Sequence, residues 1–176
     1  MLGLSVLLPP AHAVAKADLQ EGFHRLGRAC CQVLRQTGVA ASLAERSDIQ
    51  RSAARAQAEG LDWACFGSVS HGEVVDPAGR KIAGFAQCKK STGTLLVGGV
   101  LFGEPDWSLL CELFGKPASV LGALRTATAC VASGRHQASQ IAEFCAAFSR
   151  AVRLQMADRQ ERTECGSSNT ERPAAL

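Results

Sequence analysis

The run from Glu73 to Phe102 limits the possible folds of this chain more than any other segment. It reads as three short strands in succession, Glu73 to Asp76, Arg80 to Lys89 and Thr94 to Phe102. The connections between them are Pro77-Ala78-Gly79 and Ser91-Thr92-Gly93. Proline presets a turn backbone and glycine takes up positive φ, so both connections have turn chemistry. Links this short can join only antiparallel neighbours, because a parallel crossover needs a dozen residues or more. A three-strand meander follows. Lys81 stands just after the first turn, at the mouth of an apolar strand, with Gly84 three positions later and Gly98-Gly99 on the next strand.

The remaining segments supply helices for that sheet. Leu4 to Leu8 reads as a strand stopped by Pro9-Pro10. Ala15 to Gln36 reads as one long amphipathic helix, since Leu19, Phe23, Leu26, Cys30 and Leu34 recur at spacings of three and four before Gly38. Val39 to Leu43 is a weak strand. Ser47 is placed to cap an Ala-rich helix through Ala58, ended by Gly60. Pro105-Asp106 opens a helix carrying Trp107, Leu110, Leu113 and Phe114, and Gly115 closes it. Residues 117–131 fit no single pattern. Gln137 to Leu154 reads as a final helix buried through Ile141, Phe144, Cys145, Phe148 and Val152. From Met156 the composition turns polar, which predicts one domain over 1–155 and a disordered tail over 156–176. This order predicts an α+β protein, a mixed and mostly antiparallel sheet flanked by helices.

Composition narrows the function classes. The 176 residues are 47% hydrophobic and 20% charged, as in an ordinary globular domain. A net charge of +3, with no basic run interleaved with aromatics, argues against nucleic acid as a partner. No window approaches the ~20 apolar residues of a membrane span. Met1 to Ala13 has two readings, a signal peptide or a buried strand ended by two prolines. The run lacks a preceding Lys or Arg and is short for an h-region, which favours the strand. The eight cysteines form no C-x-x-C pair and no zinc-like spacing. Most read as small core hydrophobes in a reducing cytoplasm, and no metal site is expected. The alternative is a periplasmic protein with disulfides, which counting free thiols would test.

Lys81 carries most of the chemistry. The commonest fate of a lysine is a solvated strand end. A lysine held by a strand pair can instead anchor an acyl carboxylate or a phosphate. Gly84 permits close approach of a ligand, and a groove lined by glycine and floored by Ile82 and Leu96 suits an acyl chain. His71 could act as a base near neutral pH, although a solvated turn histidine is the commoner case. Asp62 and Glu73 have no partner at an obvious spacing. His12, His24 and His136 have no company that suggests a site.

Arg80-Lys81-Ile82-Ala83-Gly84-x-Ala86-Gln87, the pair Lys89-Lys90, and Gly93-x-Leu95-Leu96-x-x-Gly99 together resemble the central motif of the lipoate–protein ligase and octanoyltransferase family. Leu4-Ser5-Val6, the helix ending at Leu34 with Gly38-Val39, and Cys65-Phe66 match neighbouring segments of that family in order. The resemblance implies a biotin/lipoate ligase-like core and protein lipoylation. A lipoyl or octanoyl group would be passed to a lysine of a lipoyl carrier domain. The ligase route would use ATP and Mg; the transferase route would use acylated carrier protein. Lys81 would contact the acyl carbonyl, and the adenylate phosphate in members that use ATP. Gly84, Ala86, Gln87, Gly98 and Gly99 would line the substrate site. Some octanoyltransferases carry at the Cys65 place a cysteine that forms a thioester with the acyl group, and a thiolate near an ammonium is activated. The bland reading of Cys65 is a buried cysteine beside Trp63 and Phe66.

The chain departs from the family's pattern in lacking an Arg-x-x-Gly-Gly segment, so that it starts at about the strand that follows. Met1 then reads as an internal methionine, or the chain as a truncated relative. Adenylation of lipoate by the chain alone is not expected, and a non-catalytic partner that binds the acyl group or the carrier domain is the alternative from a different class.

Overall fold

A computed structural model describes residues 1–131 and 138–157. Five strands, β1 (Leu2–Leu8), β2 (Ser42–Leu43), β3 (Val74–Val75), β4 (Lys81–Lys90) and β5 (Gly93–Val100), form one sheet in the order β1-β5-β4-β3-β2. Every neighbouring pair is antiparallel. Six helices accompany it: α1 (Ala13–Lys16), α2 (Leu19–Gln36), α3 (Arg46–Glu59), α4 (Trp107–Leu113), α5 (Val120–Ala127) and α6 (Ala138–Met156). The protein is α+β, and the meander is as the turn chemistry requires. Its first turn is tied by Asp76, whose Oδ1 accepts from the Ala78 and Arg80 N–H groups at 3.0 and 2.8 Å. Gly79 stands there at φ +74°, a conformation that penalises any side chain.

The long helix expected from Ala15 is two helices. Ala17 is extended, and the Asp18 carboxylate caps α2 by accepting from Glu21 N–H at 2.9 Å. A capping aspartate satisfies an orphan donor of a new helix, so it restarts the chain rather than continuing it. Similarly, α3 begins one residue before Ser47. The Asp48 carboxylate accepts from the Glu45 N–H, and Ser47 lies inside the first turn. The segment without a clear pattern contains α5. Met156, where the sequence placed the start of a tail, is buried at the end of α6. Gln137, His136 and everything beyond Ala157 fall outside the described residues.

Pairing fixes which residues share a face of the sheet, because directly opposed residues point the same way and successive ones alternate. One face presents Leu2, Leu4, Val6 and Leu8 of β1 with Leu96 and Val100 of β5 and Ala83 and Phe85 of β4. These pack on Leu26, Cys30 and Leu34 of α2 and on Phe144, Phe148 and Val152 of α6 in the main core. Arg25 ties the two helices together by donating to the Gln155 carbonyl at 2.8 Å. A second core lies under α4 and α5, around Leu61, Leu101, Trp107 and Leu124. Cysteine usage is mixed. Cys30, Cys31 and Cys111 are buried as expected, but Cys65, Cys88 and Cys145 are exposed. Cys145 therefore sits off the apolar stripe of α6, next to the buried Phe144.

Candidate active site

Lys81 is neither a solvated strand end nor a free cation. Its side chain is 4% exposed and that of Glu73 is 5% exposed, and the two form an ion pair at 2.7 Å. The ammonium also donates to the Cys65 carbonyl at 2.6 Å and the Ser68 carbonyl at 3.0 Å. It lies 5.1 Å from the centre of the Phe66 ring, a cation–π contact. The backbone of Lys81 is fixed from both sides. It pairs with Val75 on β3 and bridges to Thr128 after α5, where Ala129 N–H donates to its carbonyl at 2.9 Å.

Glu73 is the residue that sequence reasoning missed. Besides Lys81, its Oε2 accepts from Ser70 N–H at 2.8 Å, and its Oε1 accepts from Phe85 N–H at 3.2 Å. A signal for it existed. The hairpin sets Val75 opposite Lys81, and Glu73 precedes Val75 by two, hence on the same face. Eight positions of sequence hid a distance closed by one turn.

The register of β4 brings Lys81 to its glycines. Val74 pairs with Ala83, but Val75 pairs with Lys81, so Ile82 is an extra residue, a β-bulge. Without it, Lys81 and Gly84 would point to opposite faces. With it, a Cβ placed on Gly84 would lie 2.6 Å from Lys81 Cε and 2.9 Å from Nζ. Gly84 pairs with Gly99, which pairs with Gly3. Three side-chain-free positions thus cross the sheet in a row, with the ammonium at one end. Phe66 and Met1 overhang the middle, at 3.6 and 3.0 Å from a Cβ placed on Gly99. Ala86, exposed, shares this face.

The expected groove is corrected on three points. Ile82 and Leu96 do not floor it, because both belong to the core on the opposite face. Gly98 also belongs to that face, where the Phe85 ring would stand 2.7 Å from a Cβ placed on it. Gln87 pairs with Leu96 and approaches Gly22 of α2, away from the ammonium. Lys81, Gly84, Ala86 and Gly99 are together; Gln87 and Gly98 are elsewhere.

Cys65 is exposed rather than buried. Its carbonyl binds Lys81, while the residue lines an apolar cavity of about 300 Å3 together with Trp63, Phe66, Leu101, Trp107 and Phe114. The Nε1 atoms of Trp63 and Trp107 are buried there without a hydrogen-bond partner among the described residues. His71 is exposed and stacks on His24 at 6.2 Å between centroids. Asp62 is exposed. Among the described residues no group of three or more His, Cys, Asp or Glu could hold a metal ion. Nor is any helix there long and apolar enough to cross a membrane.

Lys81 is thus a buried lysine clamped on an antiparallel sheet, beside a glycine row and an apolar cavity. Residues 1–159 match the lipoyl protein ligase A/B catalytic domain family, and the chain belongs to that family. No curated protein and no solved structure matches the chain significantly.

Proposed function

We propose that this protein transfers an octanoyl or lipoyl group to the side-chain amine of a lysine on a lipoyl carrier domain, with Lys81 at the acyl carbonyl. The observation that carries this reading is the ammonium fixed at the end of the Gly3–Gly99–Gly84 row. An extended acyl chain can lie across glycines, where no side chain lifts it from the backbone. Attack by the acceptor amine on the carbonyl carbon forms the C–N bond and places negative charge on the carbonyl oxygen. The Lys81 ammonium donates to that oxygen. Preorganised donors of this kind are worth about 10²–10³ in rate. The bond to the leaving group then breaks, and the acceptor nitrogen releases its proton to solvent.

The leaving group is AMP if the acyl group is activated by ATP-dependent ligation. Magnesium in that case enters with nucleotide phosphates, which such ions favour over all-protein cages. One observation supports a second route. Cys65 is exposed and lines the apolar cavity while its own carbonyl touches Lys81, a placement suited to an octanoyl thioester on Sγ. The test supplies preformed octanoyl-AMP, or octanoyl-loaded acyl carrier protein, with a lipoyl carrier domain, and reads the carrier's mass. Octanoylation that Lys81→Met abolishes supports the reading, and none from either donor refutes it. Cys65→Ser separates the routes: transfer from acyl carrier protein is lost if the thioester forms, while transfer from octanoyl-AMP persists.

A further inference from the structure

A lysine ammonium has three protons to donate and no acceptor capacity. In Lys81 all three are committed, to the Cys65 carbonyl, the Ser68 carbonyl and the Glu73 carboxylate. A substrate carbonyl can therefore engage Lys81 only by replacing one of these acceptors. The three are not equivalent. Glu73 is held at several points: by Ser70 N–H, by Phe85 N–H on β4, and through its own backbone carbonyl, which accepts from Ala44 N–H at 2.9 Å. Cys65 and Ser68 stand in a surface loop, with Cys65 exposed and Ser68 half-buried. The Ser68 carbonyl shares its peptide group with Val69 N–H, which donates to the buried Ser52 Oγ at 3.0 Å, whereas the ties beside Cys65 are turn bonds, Ala64 N–H to Leu61 and Gly67 N–H to Ala64. All three bonds share an ionised donor, but only the Glu73 bond has an ionised acceptor as well, which adds attraction between two buried opposite charges.

We propose that Glu73 is a positioning residue for Lys81, retained throughout the reaction, and that the acyl carbonyl enters by displacing the Cys65 carbonyl. This rests on the reading that Lys81 serves the acyl group. Two features of the fold serve the arrangement. Glu73 Oε1 occupies the place of a backbone acceptor opposite Phe85 N–H, where β3 has already ended, so the carboxylate is built into the sheet. Gly84 leaves the space in which the pair lies, since a methyl group there would stand 3.0 Å from Glu73 Oε1 and closer still to Lys81. The Cys65 carbonyl acts as a stand-in for substrate, keeping a buried ammonium satisfied while the site is empty.

Two readouts test this, one of them independent of turnover. The first is the rate at which an acetylating reagent modifies Lys81 relative to the exposed Lys89 and Lys90, followed by peptide mass spectrometry. Lys81 in the wild type is expected to react at least about tenfold more slowly than either, and Glu73→Gln to remove that protection. The second is octanoyl transfer from octanoyl-AMP. Glu73→Gln is expected to lower kcat by about 10–100-fold, less than outright loss of a preorganised donor because the ammonium is misplaced and not removed, with KM for octanoyl-AMP changed less than about threefold. Glu73→Asp, which keeps the charge and shortens the reach, is expected to fall between. A folded Glu73→Gln protein with wild-type kcat and wild-type Lys81 labelling overturns the proposal. Should Glu73→Gln not fold, Glu73→Asp decides: values equal to wild type in both readouts overturn it. A wild-type chain that protects Lys81 but transfers nothing removes the functional reading and leaves the positioning role standing.

Discussion

The glycine row offers a graded test, because its three members differ in what an added methyl group would meet. At Gly3 a Cβ has nothing within 4 Å. At Gly99 it meets the Met1 sulfur at 3.0 Å, the flexible end of a terminal side chain. At Gly84 it meets Lys81 Cε at 2.6 Å, Nζ at 2.9 Å and Glu73 Oε1 at 3.0 Å. Carbon atoms rest at about 3.5–4.0 Å, so Gly84→Ala must drive the lysine chain back by about 1 Å. The ammonium bonds span 2.6 to 3.0 Å, and a shift of that size takes at least one past hydrogen-bonding distance. Losing one bond to a charged group costs about 1.5–3 kcal/mol. Glycine to alanine returns about 0.4–1 kcal/mol through the unfolded chain, since none of the three positions has positive φ. The net expectation is a loss of about 1–2 kcal/mol, or about 3–6 °C in Tm at this chain length. Gly3→Ala should be neutral or slightly stabilising, and Gly99→Ala close to neutral. Thermal unfolding followed by circular dichroism reads all three. Equal stability of Gly84→Ala and Gly3→Ala would refute the claim that the Lys81–Glu73 pair occupies that space. The Gly84→Ala protein should also lose octanoyl transfer from octanoyl-AMP by more than about tenfold, whereas a purely mechanical role would leave it unchanged.

Three further outcomes follow from the buried groups. Lys81→Met leaves Glu73 buried without its cation, at a cost of about 3–5 kcal/mol, and adding Glu73→Gln should restore at least half of that in urea titrations. Under native conditions iodoacetamide should modify Cys65, Cys88 and Cys145 well before Cys30, Cys31 and Cys111, as peptide mapping will show. Burial raises the Cys30 thiol far above its ordinary range and pushes Cys31 up to about 11. The folded chain therefore keeps protons that the unfolded chain releases, so stability should fall as pH rises from about 9 towards 11, and Cys30→Ala/Cys31→Ala should flatten that slope.

The parts of the fold that were legible in the sequence were those set by local chemistry. Pro77-Ala78-Gly79 and Ser91-Thr92-Gly93 admit only tight turns, and the meander came with them. Leu26, Cys30 and Leu34 declared the buried face of α2 by spacing alone. What escaped depended on contacts made across the fold. The hydrophobic period runs straight through Ala17 and Asp18, so only the cap geometry reveals the break between α1 and α2. In the site, Lys81 and its glycines at 84 and 99 were visible as residue types. Their common face was not, because plain alternation places Lys81 opposite Gly84 and assigns Ile82 to the wrong side. Glu73 was hidden for the related reason that its partner lies across a hairpin. The exposure of Cys65 and Cys145 is a property of the surroundings, and no local pattern carries it.

The extra residue at Ile82 has a consequence for how this chain can change in length. The turn at 77–79 is exposed at Pro77 and Ala78 and closes on itself, so a residue gained or lost there alters only a loop. Between Arg80 and Gly84 the effect is of another order. Removing one residue restores strict alternation and carries the ammonium through the sheet, from the open side to the packed one. The Lys81 ammonium would then face the main core, which holds Leu26 and Phe148, instead of Glu73. Within these five positions, residue count decides which face of the sheet the ammonium occupies as much as residue identity decides that it is there.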